Sequence, residues 1–281
     1  NDNTPTFSGK GEPGDTIIIL DNNQKIGEVV VGENGTWEFT PETALGDGDH
    51  AISIIIQDPA GNQSEKSDPI VIVVDTTAPN VPAIGSVIGD VGGKLVELVS
   101  GGATNDTTPT FKGTTEANAC VDIFDNDVLI GSTVADAQGS WSFTPKALEE
   151  GDHSFTTRAT DAAGNTSAAS PAWNIEIDVS APSKPGHDGQ GPGINDIGGT
   201  TNDNTPTFSG KGEPGDTIII LDNNQKIGEV VVGENGTWEF TPETALGDGD
   251  HAISIIIQDP AGNQSEKSDP IVIVVDTTAP N

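Results

Sequence analysis

Thr16-Ile17-Ile18-Ile19-Leu20-Asp21-Asn22-Asn23-Gln24-Lys25-Ile26-Gly27-Glu28-Val29-Val30-Val31 is the stretch that decides the fold. A run rich in β-branched residues, a short polar break and a second such run read as strand, tight turn, strand. Cys120-Val121-Asp122-Ile123-Phe124, the turn Asp125-Asn126-Asp127 and the return from Val128 to Val134 repeat that pattern in diverged form. Downstream, Gly32-Glu33-Asn34-Gly35 and Asp136-Ala137-Gln138-Gly139 supply turns, since Gly and Asn accept the positive φ such loops need. Trp37 and Phe39, two apart, share one face of the strand that follows. His50 to Gln57 and Ile70 to Val74 complete the unit, with Pro69 marking a strand start. Pro41 to Leu45 holds at most one helical turn.

The same eighty residues occur twice: Asn202 to Asn281 repeats Asn1 to Asn80 without a substitution, at an offset of 201. A diverged copy lies between them. Fixed-period self-similarity reads as an array, with units expected at 1–79, 80–182 and 183–281, the last repeating the first over 202–281. Asn80 to Ile88 is a plausible first strand followed by a Gly-rich loop. The shorter segment before Asn202 carries Gly186, Gly189, Gly191, Gly193, Gly198 and Gly199. Unit one has no such segment, so the chain is expected to be a fragment that starts inside a unit. Roughly seven short strands per hundred residues, with turn signals about every ten, predict an all-β chain of three tandem immunoglobulin-like β-sandwiches, head to tail. Trp37, Trp141 and Trp238 are the expected core aromatics.

A formal charge of −33, from 44 acidic residues against 11 Lys plus Arg, argues against nucleic acid, whose affinity rests on cations neutralising phosphates. It argues equally against an anionic membrane surface. The single cysteine, Cys120, has no partner for an internal disulfide and is expected to face the interior as a small hydrophobe. No apolar run reaches the roughly 18 residues a membrane span requires, and no signal peptide opens the chain. Nucleophile-elbow, zinc-protease and phosphate-loop motifs are missing too, and thin sandwiches predict no substrate cleft. The expectation is a non-enzymatic protein.

The order Asn1-Asp2-Asn3-Thr4-Pro5-Thr6-Phe7, Gly35-Thr36-Trp37-Glu38-Phe39-Thr40-Pro41, Gly48-Asp49-His50, Asp58-Pro59-Ala60-Gly61-Asn62 and Asp75-Thr76-Thr77-Ala78-Pro79 resembles the bacterial Ig-like repeats of giant, acidic, RTX-type surface adhesins. That resemblance covers essentially the whole chain. It implies a stalk of near-identical domains exported by type I secretion, displayed at the cell surface or in biofilm, and calcium at or near the junctions. Neighbouring repeats would be the direct partners. A distal adhesin domain would bind the host or surface ligand, and this segment would be a monomer.

Strand order can be set against the calcium expectation. With strands alternating in direction, Asp106, Asp152 and Asp178 gather at one pole of the middle unit, and Asp161 and Asn165 at the other. Head-to-tail stacking then brings Asp75, Asp2 and Asp49 towards Asp161 and Asn165, and Asp178, Asp106 and Asp152 towards Asp259 and Asn263. Asp58, Asp203 and Asp276 are the equivalents at the outer ends. Carboxylates facing each other favour a hard cation, and Asp, Asn and backbone carbonyls are ligands calcium takes. Zinc is disfavoured because His50, His153 and His251 lack a second His or Cys at ligand spacing; they read as ordinary loop residues. The competing reading of these acids is turn chemistry. A second function class is a glycan- or protein-binding module, for which Trp173, without a counterpart in the other copies, is the candidate platform.

Overall fold

Asn22 and Asn23 take φ of 46° and 69°, the left-handed pair that a two-residue hairpin demands and asparagine tolerates. That turn sets the register on either side of it, and the other units repeat it at Asn126-Asp127 and Asn223-Asn224. The computed structural model describes residues 1–187 and 191–279. Gly189 of the linker and Asn281 at the end of the last repeat lie outside the described residues.

Unit one holds β1 (Phe7–Lys10), β2 (Thr16–Asp21), β3 (Gln24–Val30), β4 (Thr36–Phe39), β5 (Gly48–Gln57) and β6 (Ile70–Val74). Unit two holds β7 (Ala83–Val91), β8 (Lys94–Leu98), β9 (Gly102–Thr104), β10 (Thr110–Thr114), β11 (Cys120–Asp125), β12 (Val128–Val134), β13 (Ser140–Phe143), β14 (Gly151–Thr160) and β15 (Trp173–Ile177). Unit three holds β16 (Gly193–Ile194), β17 (Gly199–Thr201), β18 (Phe208–Lys211), β19 (Thr217–Asp222), β20 (Gln225–Val231), β21 (Thr237–Phe240), β22 (Gly249–Gln258) and β23 (Ile271–Val275). The described residues contain no helix, and Pro41 to Leu45 is plain loop.

Each unit is a pair of sheets. In unit two the orders are β13-β10-β7-β8 and β12-β11-β14-β15-β9; in unit three they are β16-β18-β21 and β17-β23-β22-β19-β20. Unit one has only β1-β4 facing β3-β2-β5-β6. Pairing is antiparallel except for β9 on β15 and β17 on β23. Strand alternation sends Ile17 and Ile19, Val121 and Ile123, and Ile218 and Ile220 inward, where all six are fully buried. Trp37, Trp141 and Trp238 meet them from the opposing sheet. Gly27 has no Cβ because the Phe39 ring lies where one would stand.

Two expectations are overturned. Cys120 is not an interior residue: with Val121 and Ile123 turned inward, it shares the other face with Asp122. It is half-buried there, its Sγ 4.0 Å from Asp122 Oδ1, and burial and that charge push its thiol pKa up. The Gly-rich stretch after Ile88 is not a loop either. Strand β7 continues to Val91, Gly92 and Gly93 turn at φ of 61° and 82°, and β8 and β9 follow.

Candidate functional site

The units meet through the loops Asp161–Asn165 and Asp259–Asn263, each built on its own aspartate. Asn165 donates its backbone N–H to Asp161 Oδ1 at 2.9 Å and its side-chain amide to Asp161 Oδ2 at 2.9 Å. That amide also donates to the carbonyl of Asp75, in the preceding unit, at 2.9 Å. The second seam repeats the chemistry: Asn263 bonds Asp259 at 2.8 and 2.9 Å and reaches the Asp178 carbonyl at 2.8 Å. The first residues of the repeat dock on the same loops. The Asn1 amine donates to Ala163 O at 3.1 Å, and its counterpart Asn105 donates its N–H to Ala261 O at 2.9 Å. In unit one Asp58 clamps Asn62 at 2.8 Å twice, on an exposed loop.

The other candidate acids are locally engaged. Asp2, Asp106 and Asp203 accept the N–H two residues on, at 2.9, 2.8 and 2.9 Å. Asp75, Asp178 and Asp276 do the same through Oδ1 at 3.0, 2.9 and 3.0 Å. Asp49 and Asp152 stand at the starts of β5 and β14, opposite Val73 and Glu176.

At the second seam a cavity of about 170 Å³ is lined by the acids Asp178, Glu213, Asp216 and Asp259 under the linker segment Ser180–Ser183. Asp216 is only 5% exposed. Burial raises its pKa first, and the charges of Glu213 and Asp259 add to that. At Asp161 burial acts the same way, but the bonds from Asn165 outweigh it and hold the carboxyl below its usual value. The first seam lacks one of these acids: Ala119 stands where unit three has Asp216, beside Glu116. Among the described residues no three Asp, Glu, His or Cys side chains converge closely enough to hold a metal as they stand. The four acids therefore line the cavity without closing on one point.

Sequence reasoning missed Asp216, which lines the cavity together with Asp178 of the preceding unit; of the Glu116 and Glu213 pair it placed only Glu116 at this pole. It also missed what the histidines do. They are not ordinary loop residues. His50 places Nδ1 2.7 Å from Asp21 Oδ2 and Nε2 2.7 Å from Gly46 O. His153 bridges Asp125 and the Glu149 carbonyl at 2.6 and 2.9 Å, and His251 bridges Asp222 and the Gly247 carbonyl at 2.7 and 2.8 Å. Both ring nitrogens face acceptors, which only imidazolium satisfies fully. The Gly46 carbonyl and then Asp21 raise the His50 pKa; for His251 burial works against the rise, but the Gly247 carbonyl and Asp222 prevail. Asp47 was missed as well. It ties the exit of unit one by accepting from Thr76 N and Thr76 Oγ1 at 2.9 and 2.8 Å, bonds that lower its pKa. Trp173 packs against the core of unit two with its Nε1 buried.

Comparison with known proteins places these features in a family. A profile of the bacterial Ig-like domain matches residues 1–76, 99–179 and 179–277. Exoglucanase B of Cellulomonas fimi is 29% identical over 171 residues, and bacillopeptidase F of Bacillus subtilis 26% over 178. Those alignments take in 57% and 63% of this chain but only 14% and 11% of the two enzymes. Among solved structures, a tetra-tandem repeat from the extending region of a large adhesion protein is 21% identical, matching 98% of this chain and 71% of its own, with a TM-score of 0.32. The fibronectin(III)-like modules of Clostridium thermocellum CbhA are 18% identical over 63% of this chain and 90% of theirs, with a TM-score of 0.39. With three profile matches that together span most of its length, this chain belongs to the bacterial Ig-like domain family.

Proposed function

We propose that the chain is a non-enzymatic extender of a bacterial surface adhesin of the RTX, type I-secreted kind, its seams stiffened by calcium. The supporting observation is that each seam joins a backbone-locked loop to acidic residues of both units. Repetition of one unit adds length, and the seam bonds from Asn165 and Asn263 fix the direction of each step. The extender would lie outside the cell and hold a distal ligand-binding domain away from it.

The donor set suits calcium. Two carboxylates about 4 Å apart repel by up to roughly 4 kcal/mol at an effective dielectric near 20, and calcium takes roughly 6–8 oxygen ligands. At the second seam Asp178, Glu213, Asp216 and Asp259 would hold it; at the first, Asp75, Glu116 and Asp161. A buried, charge-crowded Asp216 is the group a cation would relieve most. The rival ligand-binding reading is weakened, since Trp173 is partly buried and packs against the core.

Thermal unfolding of the whole chain in millimolar calcium and in chelator tests the reading. Calcium at about a hundred times its Kd adds roughly 2.7 kcal/mol for each occupied site, and Asp75→Asn with Asp178→Asn should remove most of it. An unchanged transition would return these acids to turn chemistry.

A further inference from the structure

The linker that opens unit two does more than supply a first strand. Pairing of β7 with β10 stops at Ile88, opposite Thr110, but β7 runs on to Val91 and returns as β8. Gly89 to Val91 against Lys94 to Val96 is therefore a two-stranded arm that extends past the end of β10. Its tip is braced. Gly93 donates its N–H to Asp90 Oδ1 at 2.6 Å, and Asp90 donates its own to Asp106 Oδ2 at 3.2 Å. The fully buried Thr104 donates its hydroxyl to the Asp90 carbonyl at 2.6 Å.

The tip lands on the loop Asp259–Asn263 of unit three. Gly262 takes a φ of 99°, and a Cβ there would stand 2.3 Å from the Gly92 nitrogen and 3.0 Å from the Val91 carbonyl carbon. A Cβ on Gly92 would stand 2.5 Å from Gln258 Nε2, and the Oε1 of the same side chain accepts from Gln264 at 3.1 Å. Two glycine turns, one from each unit, thus meet backbone to backbone, with no room for a Cβ on Gly262. Beside them runs the bond from Asn105 N–H to Ala261 O. The linker of unit three is built differently. After Ile194 pairs with Gly210, residues 195–198 cross to β17 on the other sheet, so among the described residues no such arm forms.

We propose that the β7–β8 arm is a docking surface for the repeat that follows, its partner a loop with glycine at the Gly262 position, and that it restrains the second seam without a metal. A unit with the long linker of unit two grips its successor, and a unit with the short linker of unit three does not. Linker length then sets restrained and free joints in an array of similar units. This contact does not rest on calcium, which would add to it at the neighbouring acids.

The test is hydrogen exchange and small-angle scattering on the whole 281-residue chain in chelator, so that calcium at the seams plays no part. The Gly92 and Asn105 amides should exchange slowly. Gly262→Ala should speed both at least tenfold and broaden the distance distribution beyond that of the unaltered chain in the same buffer. Gly61→Ala imposes the same backbone strain, at a φ of 92°, where nothing stands within 4 Å of the new Cβ, and should change neither reading. Gly92→Asn keeps the turn, since asparagine accepts positive φ, but pushes a side chain against Gln258. It should speed the Asn105 amide while β11 and β14 exchange as before, and it carries the test if Gly262→Ala unsettles its own loop. Exchanging residues 80–104 for the short linker 183–201 should loosen the seam in the same way. Fast exchange at Asn105 in the unaltered chain, no change from Gly262→Ala and Gly92→Asn, an equal change from Gly61→Ala, or a seam as tight with the short linker would overturn the proposal.

Discussion

Units one and three share eighty residues without a difference, yet they do not share a core. Ile70 is 71% exposed and its counterpart Ile271 only 5%. Phe7, Ile54 and Ile56 are partly buried, whereas Phe208, Ile255 and Ile257 are fully buried. The difference comes from outside the repeat: β16 and β17 cover one side, and the loops of unit two cover an end. Covering one isoleucine contributes roughly 1.5–3 kcal/mol, so β16 and β17 add to unit three a stabilisation that its eighty-residue repeat does not itself supply. The repeat is therefore a domain whose last layer belongs to its linker.

The contrast should be easiest to break at Ile194, which is 1% exposed in the unit-three core. Ile194→Ala is expected to cost about 2–5 kcal/mol. Hydrogen exchange should show that loss in β18 and β23 and none in β1 and β6; an equal loss in both units would refute linker closure. Calcium comes next, since the second seam has Asp216 where the first has Ala119. Asp216→Ala should leave the second seam with the same acids as the first, lowering any calcium-linked stabilisation of unit three by up to roughly 2.7 kcal/mol, as read by calorimetry with and without chelator.

The histidine clamps act inside each unit and should behave alike in both. His50→Gln or His251→Gln is expected to cost roughly 1–3 kcal/mol by leaving a shielded aspartate unpaired. Because the folded pKa values of His50 and His251 are raised, the clamp's contribution is fully present below the unfolded value near about 6.5. It is lost as pH rises through the higher folded value. Unfolding scans across that range should show stability falling with rising pH, and the glutamine variants should flatten the slope. The smallest effect belongs to the seam bond itself: Asn263→Ala removes one bond to Asp178 O, worth roughly 0.5–1.5 kcal/mol, in a double-mutant comparison with Asn62→Ala on the exposed loop.

Local signals in the sequence were enough for the hairpins, because Asp-Asn-Asn between β-branched runs allows few other structures. Face assignment was harder where both faces carry apolar residues, as at Cys120, whose neighbours Val121 and Ile123 claim the interior. Strands β8 and β9 were hidden because Gly89, Gly92, Gly93, Gly101 and Gly102 give the segment a loop's composition. The head-to-tail contacts of Asp75 with Asn165 and of Asp178 with Asn263 followed from strand direction alone. Asp216 and the histidine clamps did not, because their partners are set by tertiary packing; His50 lies 29 residues from Asp21.

Small-angle scattering from the whole chain in millimolar calcium and in chelator tests the central claim most directly. The account predicts a longer, narrower distance distribution with calcium that shortens and broadens in chelator, and a double variant Asp75→Asn, Asp178→Asn that scatters as the chelated chain does in either buffer. Superimposable curves for the unaltered chain with and without calcium would contradict it.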